Sequence, residues 1–337
     1  MAGWISKLLG DPPPDAPQSD TARFWAWFSR SRAFLERRLV TQSFKAAHFE
    51  EGMKLLPGGM EWEIGRAADE KFELTISGGG PLQDRRVAEK LVRAAPAFER
   101  WRFFPARQPS GSGFVLQRDG VECDPDEARF SLETDELRRV VHLRVRHPCF
   151  KGIDPKFARG LAYQLLDMIL GEDAVETWVG AVEAGVGEVL PELDVKALRS
   201  ALGDLREAEL QWALLREKGD AKPRLVRVCP GLKPRHWLAF DQHLSVTASY
   251  QSTDDDGLPD GEGLERLNQA EDQLVATLGE RAVFHGRELS EGRCVWHFHA
   301  DAAAEEAVRA WTGKHLPEAA VARREDLAWD QPEWREG

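Results

Sequence analysis

The clearest pattern in the chain is the alternation of HLSVTASYQ (243–251). Leu244, Val246, Ala248 and Tyr250 point one way, and Ser245, Thr247 and Ser249 the other. A period of two marks a half-buried strand. The period then changes. EGLERLNQAEDQLVATLG (262–279) places Leu264, Leu267, Leu274, Val275 and Leu278 on one helical stripe. RAVFHGREL (281–289) and RCVWHFHA (293–300) return to strand-like runs and flank Ser290, Glu291 and Gly292, which predicts a hairpin. DAAAEEAVRAWTGKH (301–315) carries Ala304, Ala307, Val308 and Trp311 on a second helical line, and EAAVARRED (318–326) reads as a closing strand. The order β-α-β-β-α-β is that of a ferredoxin-like module.

Upstream the texture differs. DPPPDAPQSD (11–20) is a stiff polar linker, because proline fixes φ and removes a donor. TARFWAWFSRSRAFLERRL predicts a helix capped by Ser19 or Asp20, with Phe24, Trp27, Phe28 and Leu35 near one face. Strands follow at 60–67 and 71–79, then a helix at 84–96 with Asp84 as its cap, then short strands at 101–107, 113–119, 127–133 and 140–147. Residues 154–218 read as helical throughout. The expected organisation is an N-terminal segment and linker (1–20), an α+β domain with a largely antiparallel sheet (21–152), a helical extension (153–220) and the ferredoxin-like module (222–337). The fold class is α+β.

Composition narrows the function. With 42% hydrophobic and 30% charged residues the chain is an ordinary globular one. A formal net charge of −12 repels phosphate backbones, so nucleic-acid and anionic-membrane binding are disfavoured and a basic protein partner is favoured. Cys123, Cys149, Cys229 and Cys294 form no C-x-x-C pair. Isolated cysteines fit a reducing compartment, where thiols act as small apolar residues. No run of 18 apolar residues and no signal-like segment appear, so a cytoplasmic protein is expected.

The stretch VTASYQSTDDDGLPDGEGLERLNQAEDQL, followed by FHGRELSEGRCVWHFHAD and the tryptophans of DLAWDQPEW, resembles an uncharacterised bacterial family, domain of unknown function number six-nine-five. It is also distantly similar to ribonuclease activity regulator B, a non-catalytic inhibitor of an endoribonuclease. The resemblance covers the last third of the chain. It implies a fold and a protein partner, with no catalytic residues to carry over. FWAWF, PGGMEWEIG and APAFERWRFFPARQP resemble uncharacterised bacterial proteins that often carry this C-terminal module.

Four places offer candidate chemistry. DDDGLPDGEG (254–263) gathers Asp254, Asp255, Asp256 and Asp260. Read as an EF-hand around Gly257 it fails, because Gly263 stands where the bidentate Glu is required. The glycine-proline turn and a helix N-terminus that favours Asp260 and Glu262 explain it more simply. In WHFH (296–299), His297 and His299 share a strand face, and His285 on the adjacent strand is expected to join them. Three imidazoles could bind zinc with an open position. Their face is also polar, with Thr247, Arg287 and Arg323 expected beside them, and the helices are expected to cover the opposite one. ISGGGPLQDRR (76–86) lacks both GxxxxGK[ST] and GxGxxG, so a phosphate role for Arg85 and Arg86 has little support. In FWAWF (24–28), Trp25 and Trp27 cannot lie on one helical stripe, so one is expected on a second contact surface, inside the domain or against a partner.

These features point to a non-catalytic binding protein without a cofactor, of the regulatory or toxin-immunity type, that covers a basic protein partner. The binding surface is expected at His285, Arg287, His297, His299, Thr247, the four aspartates and Trp25. The alternative is a metal-dependent hydrolase using His285, His297 and His299. The oligomeric state is left open.

Overall fold

The computed structural model describes residues 19–67, 69–110, 114–188, 190–217, 222–251 and 253–332. Most of the proline-rich linker, the KGDA boundary at 218–221 and Trp334 lie outside them. The fold is α+β, and it divides into two compact units.

The first unit holds the described residues up to Gly79 together with Val87–Pro105. Its elements are α1 (Asp20–Val40), α2 (Ala47–Met53), β1 (Glu61–Arg66), β2 (Phe72–Ser77), most of α3 (Leu82–Arg93) and β3 (Trp101–Phe104). β1 pairs antiparallel with β2, and β2 pairs parallel with β3. Ser19 caps α1 by accepting the Ala22 N–H. The expectation of a contact surface for Trp25 against a partner is corrected here, because both indoles are buried inside the unit. Trp25 donates its Nε1–H to the Leu91 carbonyl at 2.9 Å and meets Phe103 edge-on. Trp27 packs on Phe49 of α2. The ring lies so close to Gly52 that a Cβ there would overlap it. The helix is packed on more than one side, so two stripes are buried rather than one.

The second unit, Gly80–Arg86 with Ala106 onward, contains three sheets and two cores among the described residues. Its first part comprises β4 (Leu116–Arg118), β5 (Val121–Cys123), β6 (Arg129–Asp135), β7 (Val140–Arg146), α4 (Pro155–Leu170), α5 (Glu172–Trp178), β8 (Val179–Gly185) and α6 (Val195–Glu207). Asp154 and Asp194 cap α4 and α6. Leu161, Leu165 and Leu198 from these helices share a core with Phe130 and Leu143 of the β6-β7-β8 sheet. The all-helical reading of 154–218 fails twice. Val179–Gly185 leaves the helix and pairs parallel with β7. Ala213–Glu217 forms β9, antiparallel to β10. In both places a neighbouring strand offers a ladder that outweighs local helix preference.

Cys123 and Cys149 are joined as a disulfide across a sequence separation of 26, which corrects the reading of four isolated thiols. The pairing joins β5 to the turn after β7, so it is legible only from topology. Cys229 and Cys294 are free and buried. No helix among the described residues is long and apolar enough to cross a membrane.

The remaining elements are β9 (Ala213–Glu217), β10 (Arg224–Val228), β11 (Gln242–Ser249), α7 (Gly261–Leu278), β12 (Ala282–Ser290), β13 (Arg293–Ala300), α8 (Ala304–His315) and β14 (Ala320–Glu325). They build one six-stranded sheet in the order β14-β11-β13-β12-β10-β9, antiparallel at each junction. The β12–β13 hairpin turns through Glu291 and Gly292, both at positive φ (46° and 74°), as a two-residue type I′ turn requires. α7 and α8 bury Leu267, Leu274, Val308 and Trp311 against Leu244, Val246, Trp296 and Phe298.

Candidate functional site

The face of this sheet away from α7 and α8 carries the histidines, but it is not open. His243, His285, His297 and His299 are all buried, and His299 is 0% exposed. The chain after β14 folds back over them. Trp329 stacks on His299 at 4.1 Å between ring centroids and donates its indole N–H to the Phe240 carbonyl at 2.7 Å. Arg86 braces this cover by donating to the carbonyls of Leu238, Phe240 and Leu327. The expectation of an uncovered polar histidine face is therefore corrected. Local alternation shows which residues share a face, but not what a distant segment lays over it.

Within the face, hydrogen bonds order the imidazoles. His299 Nε2 lies 3.0 Å from Asp326 Oδ2, and His285 Nε2 lies 2.5 Å from His299 Nδ1. A carboxylate only accepts, so His299 donates its Nε2–H to Asp326, and its Nδ1 shares one proton with Nε2 of His285. A second chain runs beside it. His243 Nε2 is 3.1 Å from His297 Nδ1, and His297 Nε2 is 3.1 Å from Glu288 Oε1. Burial, followed by the neighbouring His297 and His299, pushes His243 down to about 3, so it is neutral. Burial alone would raise Asp326, but hydrogen bonds from His299, Gln331 and Asp330 outweigh it and hold the carboxyl at about 2. His285 is thus hydrogen-bonded to His299 and through it to Asp326, while His297 is hydrogen-bonded to His243 and lies at ion-pair distance from Glu288; among the described residues these imidazoles form no metal-type cluster.

Arg287 does not belong to this face. β12 carries a bulge between Phe284 and Gly286, which leaves His285 as the extra residue and pairs Arg287 with Trp296. The shift turns Arg287 toward α7, where its guanidinium meets Glu271 at 3.2 Å and Asn268 at 2.9 Å. Thr247 stays on the histidine side, half-buried, opposite Val295 and Ala320. Arg323 is placed opposite Leu244 and reaches Glu305 on α8, away from the imidazoles.

The aspartate loop is closed by its own backbone. Asp254 accepts the Leu258 N–H through Oδ1 at 2.8 Å, and Gly257, at φ 78°, accepts from Gly292 N–H and the Tyr250 hydroxyl. Asp260 caps α7 through the Gly263 N–H at 2.7 Å. Asp254, Asp255, Asp256 and Asp260 are exposed and do not gather round a point; among the described residues they form no metal-type cluster. Arg85 and Arg86 of the glycine-rich stretch are buried cations, paired with Asp173 and with the carbonyls above.

The loop nevertheless borders a cleft of about 490 Å3. Its walls are Trp212, Leu214, Leu225, Leu258, Pro259, Leu264 and Leu289, with Asp254 on the rim and Arg227 and Arg287 below. Both arginines pair with the one carboxylate of Glu271, which offsets one of their two charges. Leu214 is 68% exposed, and its strand β9 ends the sheet. The sequence reading missed Trp212 and Leu214 because it placed them on a helix. The one available signal was the apolar run WALL next to a charged turn.

No curated protein and no solved structure matches the chain. Residues 211–331, from the start of the apolar run at β9 to the segment that covers the histidines, match the model of a family described as a family of unknown function, DUF695.

Proposed function

We propose that the DUF695 part of this chain is a non-catalytic binding module of the regulatory or immunity type, and that it takes a basic segment with apolar anchors from a protein partner. The observation that carries this reading is the apolar cleft beside Asp254, Asp255 and Asp256, next to an edge strand with exposed leucines. Apolar walls supply affinity and a carboxylate rim selects charge and orientation. An edge strand can also accept a partner strand through its backbone. The strand order β14-β11-β13-β12 supports a ferredoxin-like reading of this part.

The rival, a metal-dependent hydrolase on His285, His297 and His299, has weaker support, because those imidazoles are buried in hydrogen-bonded chains. A bacterial setting remains part of the proposal. The Cys123–Cys149 bond weighs against a strongly reducing compartment.

A photo-cross-linking residue at position 214, used in the native cell, tests the proposal. The expected product is a partner cross-linked through a Lys- or Arg-rich segment, lost when Asp255→Lys or Leu264→Asp is added. A product that neither change weakens would overturn it.

A further inference from the structure

A second cleft, of about 390 Å3, lies in the second unit. Val140, Val179, Leu232 and Pro234 give it apolar walls, and Glu176 of α5 and Arg235 of the turn at Pro234–Trp237 meet in it. Arg235 Nη1 is 2.5 Å from Glu176 Oε2, and its Nη2 donates to the Gly80 carbonyl at 2.8 Å. The two side chains are only 11% and 15% exposed. Lys233 and Arg138 also line the cleft, with Lys233 Nζ donating to the Arg138 carbonyl and lying over the Trp178 ring. Cations therefore outnumber carboxylates on the lining. A cleft of this size with apolar walls and a few convergent polar groups is typical of small-molecule sites.

We propose that this cleft binds a small monocarboxylate with an apolar body, whose carboxylate group replaces Glu176 as the partner of Arg235. The guanidinium already pairs with one carboxylate through Nη1, so the carboxylate of a ligand can take that place. The apolar body lies along Val140, Val179 and Leu232. Charge is conserved because Glu176 takes up one proton from solvent as the ligand anion enters.

The surroundings of Glu176 favour that exchange. Burial raises its carboxyl to about 7, Arg235 and Arg85 pull against the rise, and Glu172 and Asp167 add to it. Asp173 sits on Arg85 and the Glu172 carboxylate accepts the Arg107 backbone N–H, so those charges are held in place. A protonated Glu176 keeps a hydrogen-bonding O–H inside the cleft at no charge cost.

Calorimetry on the full chain with butyrate, hexanoate and octanoate, in buffers of different ionisation enthalpy at pH 8, tests this. Affinity is expected to rise with chain length until the cleft is filled, with uptake of up to one proton. Glu176→Gln is expected to bind several-fold more tightly at pH 8 and to take up no proton there. Arg235→Gln is expected to lose at least tenfold in affinity. Val140→Phe, which fills the cleft without touching the ion pair, is expected to abolish binding and covers the case in which Arg235→Gln does not fold. Absence of binding, equal affinity for hexanol or inorganic phosphate, or binding that survives Val140→Phe would each overturn the proposal.

Discussion

Asp326 accepts the Nε2–H of His299 at 3.0 Å while also accepting the backbone N–H groups of Asp330 and Gln331 at 2.9 Å each. One carboxylate thus ties the histidine face of the sheet to the segment that covers it. Asp326→Asn keeps the shape and removes the charge. Because the folded carboxyl is held at about 2, below its ordinary value, its contribution is present above about pH 4 and fades as pH falls toward 2. Urea unfolding is expected to show a loss of about 2 kcal/mol at pH 7, a gap that narrows between pH 4 and 2. A gap independent of pH would show that the charge is not what matters.

His243 supplies a pH dependence at milder acidity. It is neutral in the fold down to about pH 3, whereas an unfolded histidine gains its proton near 6.5. The unfolded state therefore binds the extra proton between those values, and stability falls as pH drops below about 6.5, by at most about 1.4 kcal/mol per pH unit for this group. His243→Gln is expected to flatten the decline between pH 6.5 and 5, measured by denaturant midpoints. Equal slopes in the two proteins would remove His243 from the account.

Arg86 reaches the carbonyls of Leu238, Phe240 and Leu327 from a position 3% exposed. A lysine offers one ammonium where the guanidinium offers a planar set of donors. Arg86→Lys is expected to cost about 2–4 kcal/mol, since buried carbonyls are left without donors. Increased quenching of tryptophan fluorescence would report the loosening around Trp329. Unchanged melting would show that the carbonyls find other donors.

Reduction of the Cys123–Cys149 bond frees a loop with a sequence separation of 26. Chain-entropy reasoning puts the loss at about 3 kcal/mol. A thiol titration in denaturant is expected to find Cys229 and Cys294 reactive and the other two only after reduction, with a lower melting temperature in the reduced protein. Four reactive thiols without reductant, in protein purified under air, would contradict the pairing.

The elements from β11 to β14 are legible because each follows from neighbours in the chain. Alternation marks the strands at 243–251 and 293–300, the 3.6 stripe from Leu264 to Leu278 marks α7, and Glu291-Gly292 supplies the positive φ a tight hairpin needs. The capping role of Asp260 follows from a short acidic side chain ahead of a helix. Where a strand required a distant partner, local pattern misled. Val179–Gly185 and Ala213–Glu217 look helical until β7 and β10 lie beside them. Arg287 was assigned to the wrong face because a single extra residue at the β12 bulge inverts the alternation beyond it.

By itself, then, the order of residues determined the class of fold, the periodic elements of the C-terminal module, the acidic turn and the grouping of His285, His297 and His299 on one face. Tertiary structure alone decided that those imidazoles are buried, that Trp25 is a core residue, that Cys123 meets Cys149, and that clefts form around Leu214 and around Glu176. The division has a physical cause. Periodicity and capping act over a few bonds, whereas burial, pairing and concavity depend on which distant segment arrives, as Trp329 does over His299.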